Sequence, residues 1–239
     1  MSVETLKDQN HLFHSIPPGE WERLVPHIEP VDLPLGKVLC NPGMKLSHAY
    51  FPVTAIISIL YEFEDGASTE VAVIGNEGLV GISIFMDGGT TTSTAMVKSA
   101  GMGYRIKSEI LLREFSQCAP LMHLLLRFTQ ALMTQMTQTA VCNRHHLMEQ
   151  QLCRALLVNL DRLPGNEIAM TQELIASLLG VRREGVTEAA LKLQKDGLIK
   201  YSRGHITILD RAGLERRTCE CYGIVKHEYE RLLPNGIAT

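Results

Sequence analysis

The segment from Met170 to Ile208, MTQELIASLLGVRREGVTEAALKLQKDGLIKYSRGHITI, constrains the fold more than any other part of the chain. Leu174, Leu178 and Leu179 fall on one face of a helix over 171–179. Gly180 stands where the chain must turn sharply, and glycine takes a left-handed conformation without steric cost. A second helical pattern covers 182–194, with Val181, Val186, Ala190, Leu191 and Leu193 facing inward. Leu198-Ile199 and Ile206-Thr207-Ile208 flank the turn Ser202-Arg203-Gly204-His205 and read as a small hairpin. Two helices joined by so short a turn, followed by a two-stranded wing, predict a winged helix-turn-helix.

The residues at the start of the second helix fit the chemistry of base edges. Arg182, Arg183 and Glu184 project outward there, with Thr187 one turn on. Arginine can pair with guanine through two hydrogen bonds, and glutamate can accept from the cytosine amino group. Thr171, Lys192, Lys200 and Arg203 are candidates for phosphate contacts, a sequence-independent term to which Lys195 also adds charge. Two adjacent arginines are also what a solvated helix face contains. The module by itself therefore leaves DNA binding and a plain packing role both open.

Charge places any nucleic-acid contact in the second half. The net charge is −3, which argues against a general polyanion binder. Residues 1–106 hold 6 basic and 12 acidic side chains, whereas 107–239 hold 17 basic and 14 acidic. The 45% hydrophobic content is ample for a core, and no run of about 18 apolar residues predicts a membrane span. The N-terminal stretch lacks the basic and apolar regions of a signal segment, so a cytoplasmic protein is expected. Six cysteines in that setting predict free thiols. Cys219-Glu220-Cys221 is the one close pair, without a partner pair at zinc-finger spacing, and no N-terminal cysteine cluster points to an iron–sulfur centre. His145 and His146 are neighbours and point apart on a helix, so no metal is assigned.

Upstream, short Val-, Ile- and Thr-rich runs alternate with Gly, Pro, Asn and Asp turns. The runs are 38–40, 49–51, 55–61, 69–74, 94–97 and 103–106, and they predict an antiparallel β-barrel or jelly roll. Helical periodicity follows at 109–118, 121–143 and 148–163. On the long helix, Leu121, Leu125, Phe128, Leu132, Met136 and Thr139 recur at spacings of three and four. With no evident element to cover them, they read as a seam between two copies of the chain. The alternative is packing against the chain's own barrel. The expected class is thus α+β, with an effector-type barrel domain and flanking helices at 1–118, a dimerisation helix at 119–148 and a winged helix-turn-helix domain at 149–239.

Several segments in this order resemble the Crp/Fnr family of transcription regulators. Leu35-Gly36-Lys37-Val38-Leu39 with Pro42-Gly43 resembles the start of its barrel, and Gly78-Leu79-Val80-Gly81 the start of its ligand cassette. Gln151 to Leu157 resembles its hinge-proximal helix, and Ala176 to Leu193 its helix-turn-helix. The resemblance spans nearly the whole chain. It implies a cytoplasmic homodimer on a two-fold symmetric double-stranded DNA site, working with RNA polymerase and without a membrane. It also implies an effector that shifts the dimer between weak and strong DNA-binding states. Gly81, Ile82, Thr92, Ser93, Thr94, Met136 and Thr137 are the pocket candidates it points to.

Two departures from the family pattern bear on mechanism. Cyclic-nucleotide-binding members hold the ribose with a Gly-Glu pair and clamp the phosphate with an Arg followed by Ser or Thr. Here Ile82 replaces the Glu, and no Arg occurs between Arg23 and Arg105. A cyclic nucleotide bound in that way is disfavoured, because the charge-assisted pair is missing. In the reading helix, Gly185 and Glu188 stand where the family often has Ser or Thr and Arg. Other readings are an effector-binding signalling protein whose helix-turn-helix serves a protein contact, or a barrel enzyme. Against the enzyme, no convergent acid–base or metal residues and no G-x-S-x-G or Walker sequence occur.

Overall fold

The structure, a computed structural model, describes residues 6–233. The first residues of the stretch read for a signal segment, and the outer ends of the two terminal domain ranges, lie outside the described residues. Two short helices, α1 (His11–Ser15) and α2 (Pro18–Leu24), lead into β1 (Glu29–Leu33), β2 (Val38–Cys40), β3 (His48–Pro52), β4 (Ile56–Glu62), β5 (Ser68–Ile74), β6 (Thr94–Ser99) and β7 (Gly101–Lys107). Then come α3 (Ser108–Gln117), α4 (Ala119–His145), α5 (Met148–Leu160), β8 (Glu167–Ala169), α6 (Gln172–Leu179), α7 (Arg183–Lys195), β9 (Ile199–Ser202), β10 (His205–Ile208), α8 (Arg211–Arg217) and α9 (Glu220–Leu232). No helix among the described residues is long and apolar enough to cross a membrane.

The N-terminal strands form two antiparallel sheets, ordered β1-β7-β3 and β2-β6-β4-β5. The fold is α+β as expected, but the strands pair as two separate sheets and not as a closed barrel. β1 was not anticipated, because Pro30 interrupts its pattern. Its position at a sheet edge is where a missing N–H is tolerated.

Two apolar cores share the four-stranded sheet. The first lies between the sheets, where Phe13 packs against Trp21, Phe51 and Tyr104 with ring centroids 5.2, 4.5 and 6.0 Å away. α4 closes it. Leu121, Leu125, Phe128 and Leu132 are buried in this core, Met136 packs against it, and Thr139 is buried beside Arg154. This corrects the expected dimer seam: the stripe is covered by the chain's own sheets. Gly78 makes the approach possible, since a Cβ there would stand 2.3 Å from the Phe128 ring. The second core joins Ile56, Leu60 and Val73, on the sheet's other side, to α5, α6 and α7. The helix-turn-helix is thus packed directly on β5, with Ser68 Oγ and Ser177 Oγ 3.1 Å apart. α9 leaves the second half and places Val225, Tyr229 and Leu232 in the first core.

A buried ion pair fastens the two halves. Arg162 Nε lies 2.8 Å from Glu77 Oε1, and both side chains are under 10% exposed. Glu77 Oε2 accepts from the Gly75 amide at 3.0 Å. Glu77→Gln is expected to lower the unfolding free energy by about 3 kcal/mol, because Arg162 stays buried without its counter-charge. Chemical denaturation at neutral pH checks this, and a loss below about 1 kcal/mol would show the pair to be dispensable.

Candidate nucleic-acid interface and effector cavity

Local chemistry fixes both helices of the module. The Thr171 side chain accepts from the Leu174 amide at 3.1 Å and so caps α6. Gly180 ends α6 at φ 66° and ψ 36°, and the Val181 amide bonds back to the Ala176 carbonyl at 3.0 Å. That is the Schellman closure, which needs a residue at ease in the left-handed region. α7 then buries Val186, Ala189, Ala190 and Leu193 and turns its first residues outward. The wing is a tight hairpin: Ser202 pairs with His205, and Arg203 and Gly204 both have positive φ, 51° and 81°. Such a two-residue turn matches the twist of the flanking strands. β8 adds a third strand to the wing, one too short to stand out in the sequence.

A groove of about 510 Å³ opens between the α6 start, α7 and the wing. Thr171, Arg183 and Arg203 all line it, and Arg182, Glu184 and Lys200 are exposed nearby on α7 and β9. Its walls are held in register. Gln194 Oε1 accepts from the Tyr201 amide at 2.8 Å, and the Tyr201 hydroxyl donates to the Met170 carbonyl at 2.9 Å. Burial raises the Tyr201 phenol above its ordinary range, which keeps it a donor.

Three expected roles change. Lys192 leaves the groove face: its ammonium sits 2.5 Å from Glu149 Oε2, which also meets Arg217 through Oε1 at 2.6 Å. Lys192 first, and then Arg217, hold the Glu149 carboxyl below its usual range. Thr187 is half-buried, with its hydroxyl 2.8 Å from Gln172 Oε1 and 3.0 Å from the Arg183 carbonyl. It braces α7 against α6 more than it reaches outward. Leu191, expected inside, is 60% exposed and lines the groove. Gln172, Gln194, Tyr201 and Ser202 line it too and were not singled out from sequence, since neutral side chains there carry no charge signal. No contact demands glycine at 185, where a Cβ would meet Met148 at an ordinary 3.8 Å.

The effector candidates divide into those that line one cavity and those that do not. A cavity of about 70 Å³ lies between β6, the loop around Gly81 and α4, lined by Thr91, Ser93, Ala95, Gly81, Ile82, Leu132 and Met136 among others. Successive strand residues face opposite ways, so Thr94 points away from the cavity that Ala95 lines, and Thr92, ahead of β6, does not line it either. Thr92 bonds Tyr61 at 2.8 Å, and Thr94 is buried on the other face. Thr137 lies on the exposed side of α4. No charged side chain lines this cavity, and it is far below the roughly 300 Å³ at which pockets hold drug-sized ligands.

Residues 150–217 match the family described as the Crp-like helix-turn-helix domain. No curated protein matches the chain. Among solved structures, a Crp/Fnr-family putative transcriptional regulator from Eubacterium rectale has a TM-score of 0.68 at 19% identity, over 86% of this chain and 96% of its own. FixK2 from Bradyrhizobium japonicum has a TM-score of 0.68 at 16% identity, over 80% and 98%. The c-di-GMP-responsive global regulator CLP of Xanthomonas campestris has a TM-score of 0.64 at 20% identity, over 81% and 100%. The fold is therefore like that of these solved regulators, and residues 150–217 carry a Crp-like helix-turn-helix domain.

Proposed function

We propose that this chain, whose Crp-like helix-turn-helix domain and Crp/Fnr-type fold make it a DNA-binding transcription regulator, works as a homodimer on a two-fold symmetric DNA site. The observation that carries this reading is the outward-facing start of α7, with Arg182, Arg183 and Glu184 exposed beside the wing. Arg183 and Glu184 read base edges, Arg182 reads a base or a phosphate, and Lys200 and Arg203 neutralise phosphates from the wing. Thr171 contributes through the α6 start it caps, which lines the same groove.

The dimer contact belongs on the free side of α4. Leu126, Met133, Thr137, Ala140 and Arg144 are exposed there, and they repeat at seven, four, three and four residues. That is a seam spacing, displaced from the buried stripe by part of a turn. Leu132 and Met136, next to Met133 and Thr137 in sequence and about 100° around the same helix, line the cavity. An effector entering the cavity would bear on α4, and through it on the dimer contact, which gives it differential affinity for two arrangements. Its size and uncharged lining favour a small uncharged effector over a cyclic nucleotide. RNA polymerase is the partner such a regulator would recruit or block from its site.

Binding of the full chain to a selected DNA site is expected to weaken steeply with salt. Lys200 and Arg203 from two protomers predict a slope of log K against log [salt] of about −3.5 or steeper. Anisotropy titrations on selected and random duplexes check this. A flat salt response with no preference would favour a helix-turn-helix used for protein contact.

A further inference from the structure

Three cysteines gather in a place that neither core reaches. Cys142, Cys219 and Cys221 are buried against one another as a cluster of their own. Cys142 is in the last turn of α4, and His146, four residues on, is that helix's C-cap, so both fall on one face. Cys219 caps the start of α9, and Cys221 lies in its first turn. The fold thus brings a Cys-x-x-x-His pair to a Cys-x-Cys pair across more than 70 residues. The Cys142 and Cys219 sulfurs are 3.5 Å apart, and Cys221 Sγ lies 3.6 Å from His146 Nδ1. All four ligand atoms fall within 4.8 Å of one another.

We propose that Cys142, His146, Cys219 and Cys221 form a site for a single tetrahedral zinc ion. Bonds of about 2.3 Å to sulfur and about 2.0 Å to nitrogen put neighbouring ligands of a tetrahedral zinc roughly 3.5–3.8 Å apart. Two of the ligand pairs, Cys142–Cys219 and Cys221–His146, already stand at that spacing. An iron–sulfur cubane, whose cysteines bind separate iron corners, needs its ligands more widely spread. Four protein ligands leave no open position, which marks a structural site. The surroundings supply what such a centre requires. Glu220 Oε1 lies 3.3 Å from His146 Nε2, so the carboxylate orients the imidazole and leaves Nδ1 for the metal. Arg154 is 6% exposed, donates to Thr139 Oγ1 at 3.2 Å and has an Nε without a hydrogen-bond partner. Its positive charge offsets the single negative charge that three thiolates, one neutral histidine and a divalent ion carry together. Sequence spacing hid the site, since each half alone falls short of a four-ligand motif.

Zinc here would fasten α9 to the junction of α4 and α5. That junction is already gripped by Gln151 Nε2, which donates to the His146 carbonyl at 2.8 Å. It is where the helix-turn-helix half meets the long helix, so loading the metal fixes how the reading helix is presented.

The full chain, purified without added metal or chelator, is expected to carry one zinc ion per chain by elemental analysis. Its three cluster thiols should react with a thiol reagent only after chelation. Cobalt(II) added to the stripped protein should give the ligand-field bands of a tetrahedral thiolate complex. Cys142→Ser with Cys219→Ser should abolish both the zinc and the bands, while Cys40→Ser and Cys118→Ser leave them intact. Should the double variant fail to fold, the cobalt spectrum of the wild-type chain still decides. Stripped, folded protein that gives no tetrahedral spectrum would overturn the assignment. So would acid-labile sulfide in the native protein, or zinc retained by the folded double variant.

Discussion

Leu126→Glu combined with Met133→Glu is expected to yield a folded monomer whose affinity for the selected DNA site is lower by about 10²–10⁴-fold. Both side chains are exposed, at 44% and 53%, and neither enters either core, so the fold should survive. In a two-fold contact each residue meets the same surface of its partner, and the new carboxylates would face one another. The loss follows from linkage. Two tethered reading helices turn the second half-site contact into an intramolecular event, and a monomer gives that advantage up. Sedimentation gives the mass, and anisotropy on the same samples gives the affinity. An unchanged dimer mass would move the interface off this face of α4. The converse holds for the buried stripe: Leu125→Glu or Leu132→Glu would unfold the chain, since both side chains are 1% exposed.

Arg183→Ala should remove base discrimination while leaving weak binding to random DNA. A guanine pair made by one arginine contributes about 1–3 kcal/mol, and two half-sites double it, so specific affinity should fall by roughly 30- to 10⁴-fold. Arg183 is exposed at the first position of α7, and its one ion-pair contact, with Glu173, is a long 3.9 Å. Little folding energy is therefore at stake. Lys200→Ala is the contrasting change, since it should weaken all sequences alike and flatten the salt slope. Titrations of each variant on selected and random duplexes separate the two. Equal losses on both duplexes for Arg183→Ala would make it a phosphate contact.

The helix-turn-helix was legible because its information is local. Thr171 caps, Gly180 turns, and the apolar spacing of each helix falls within one segment, so sequence order alone specifies the module. The strands were legible for a similar reason, apart from β1 and β8, where a proline and a length of three residues hide the alternation. What failed depended on which surface meets which. The α4 stripe was correctly apolar, but periodicity cannot tell a partner's helix from the chain's own sheet. Lys192 looked like a phosphate contact because Glu149, its partner on α5, is 43 residues away in sequence. The effector candidates mixed residues that line the cavity with neighbours that do not, because the register that turns Ala95 inward and Thr94 away is set by pairing with β4. Cys219-Glu220-Cys221 and His146 stood out singly, but the grouping of Cys142, His146, Cys219 and Cys221 was hidden for the same cause, being joined only when α9 folds back to the end of α4.

The central claim is that two copies of α7 read one DNA site together. Hydroxyl-radical footprinting of the full chain on a site obtained by selection from random duplexes tests it most directly. Two protected segments related by two-fold symmetry and centred about one helical turn, or 10 base pairs, apart are the predicted result, with the central guanines of each losing protection in Arg183→Ala. A single protected segment, or selection that recovers no preferred sequence, would contradict it.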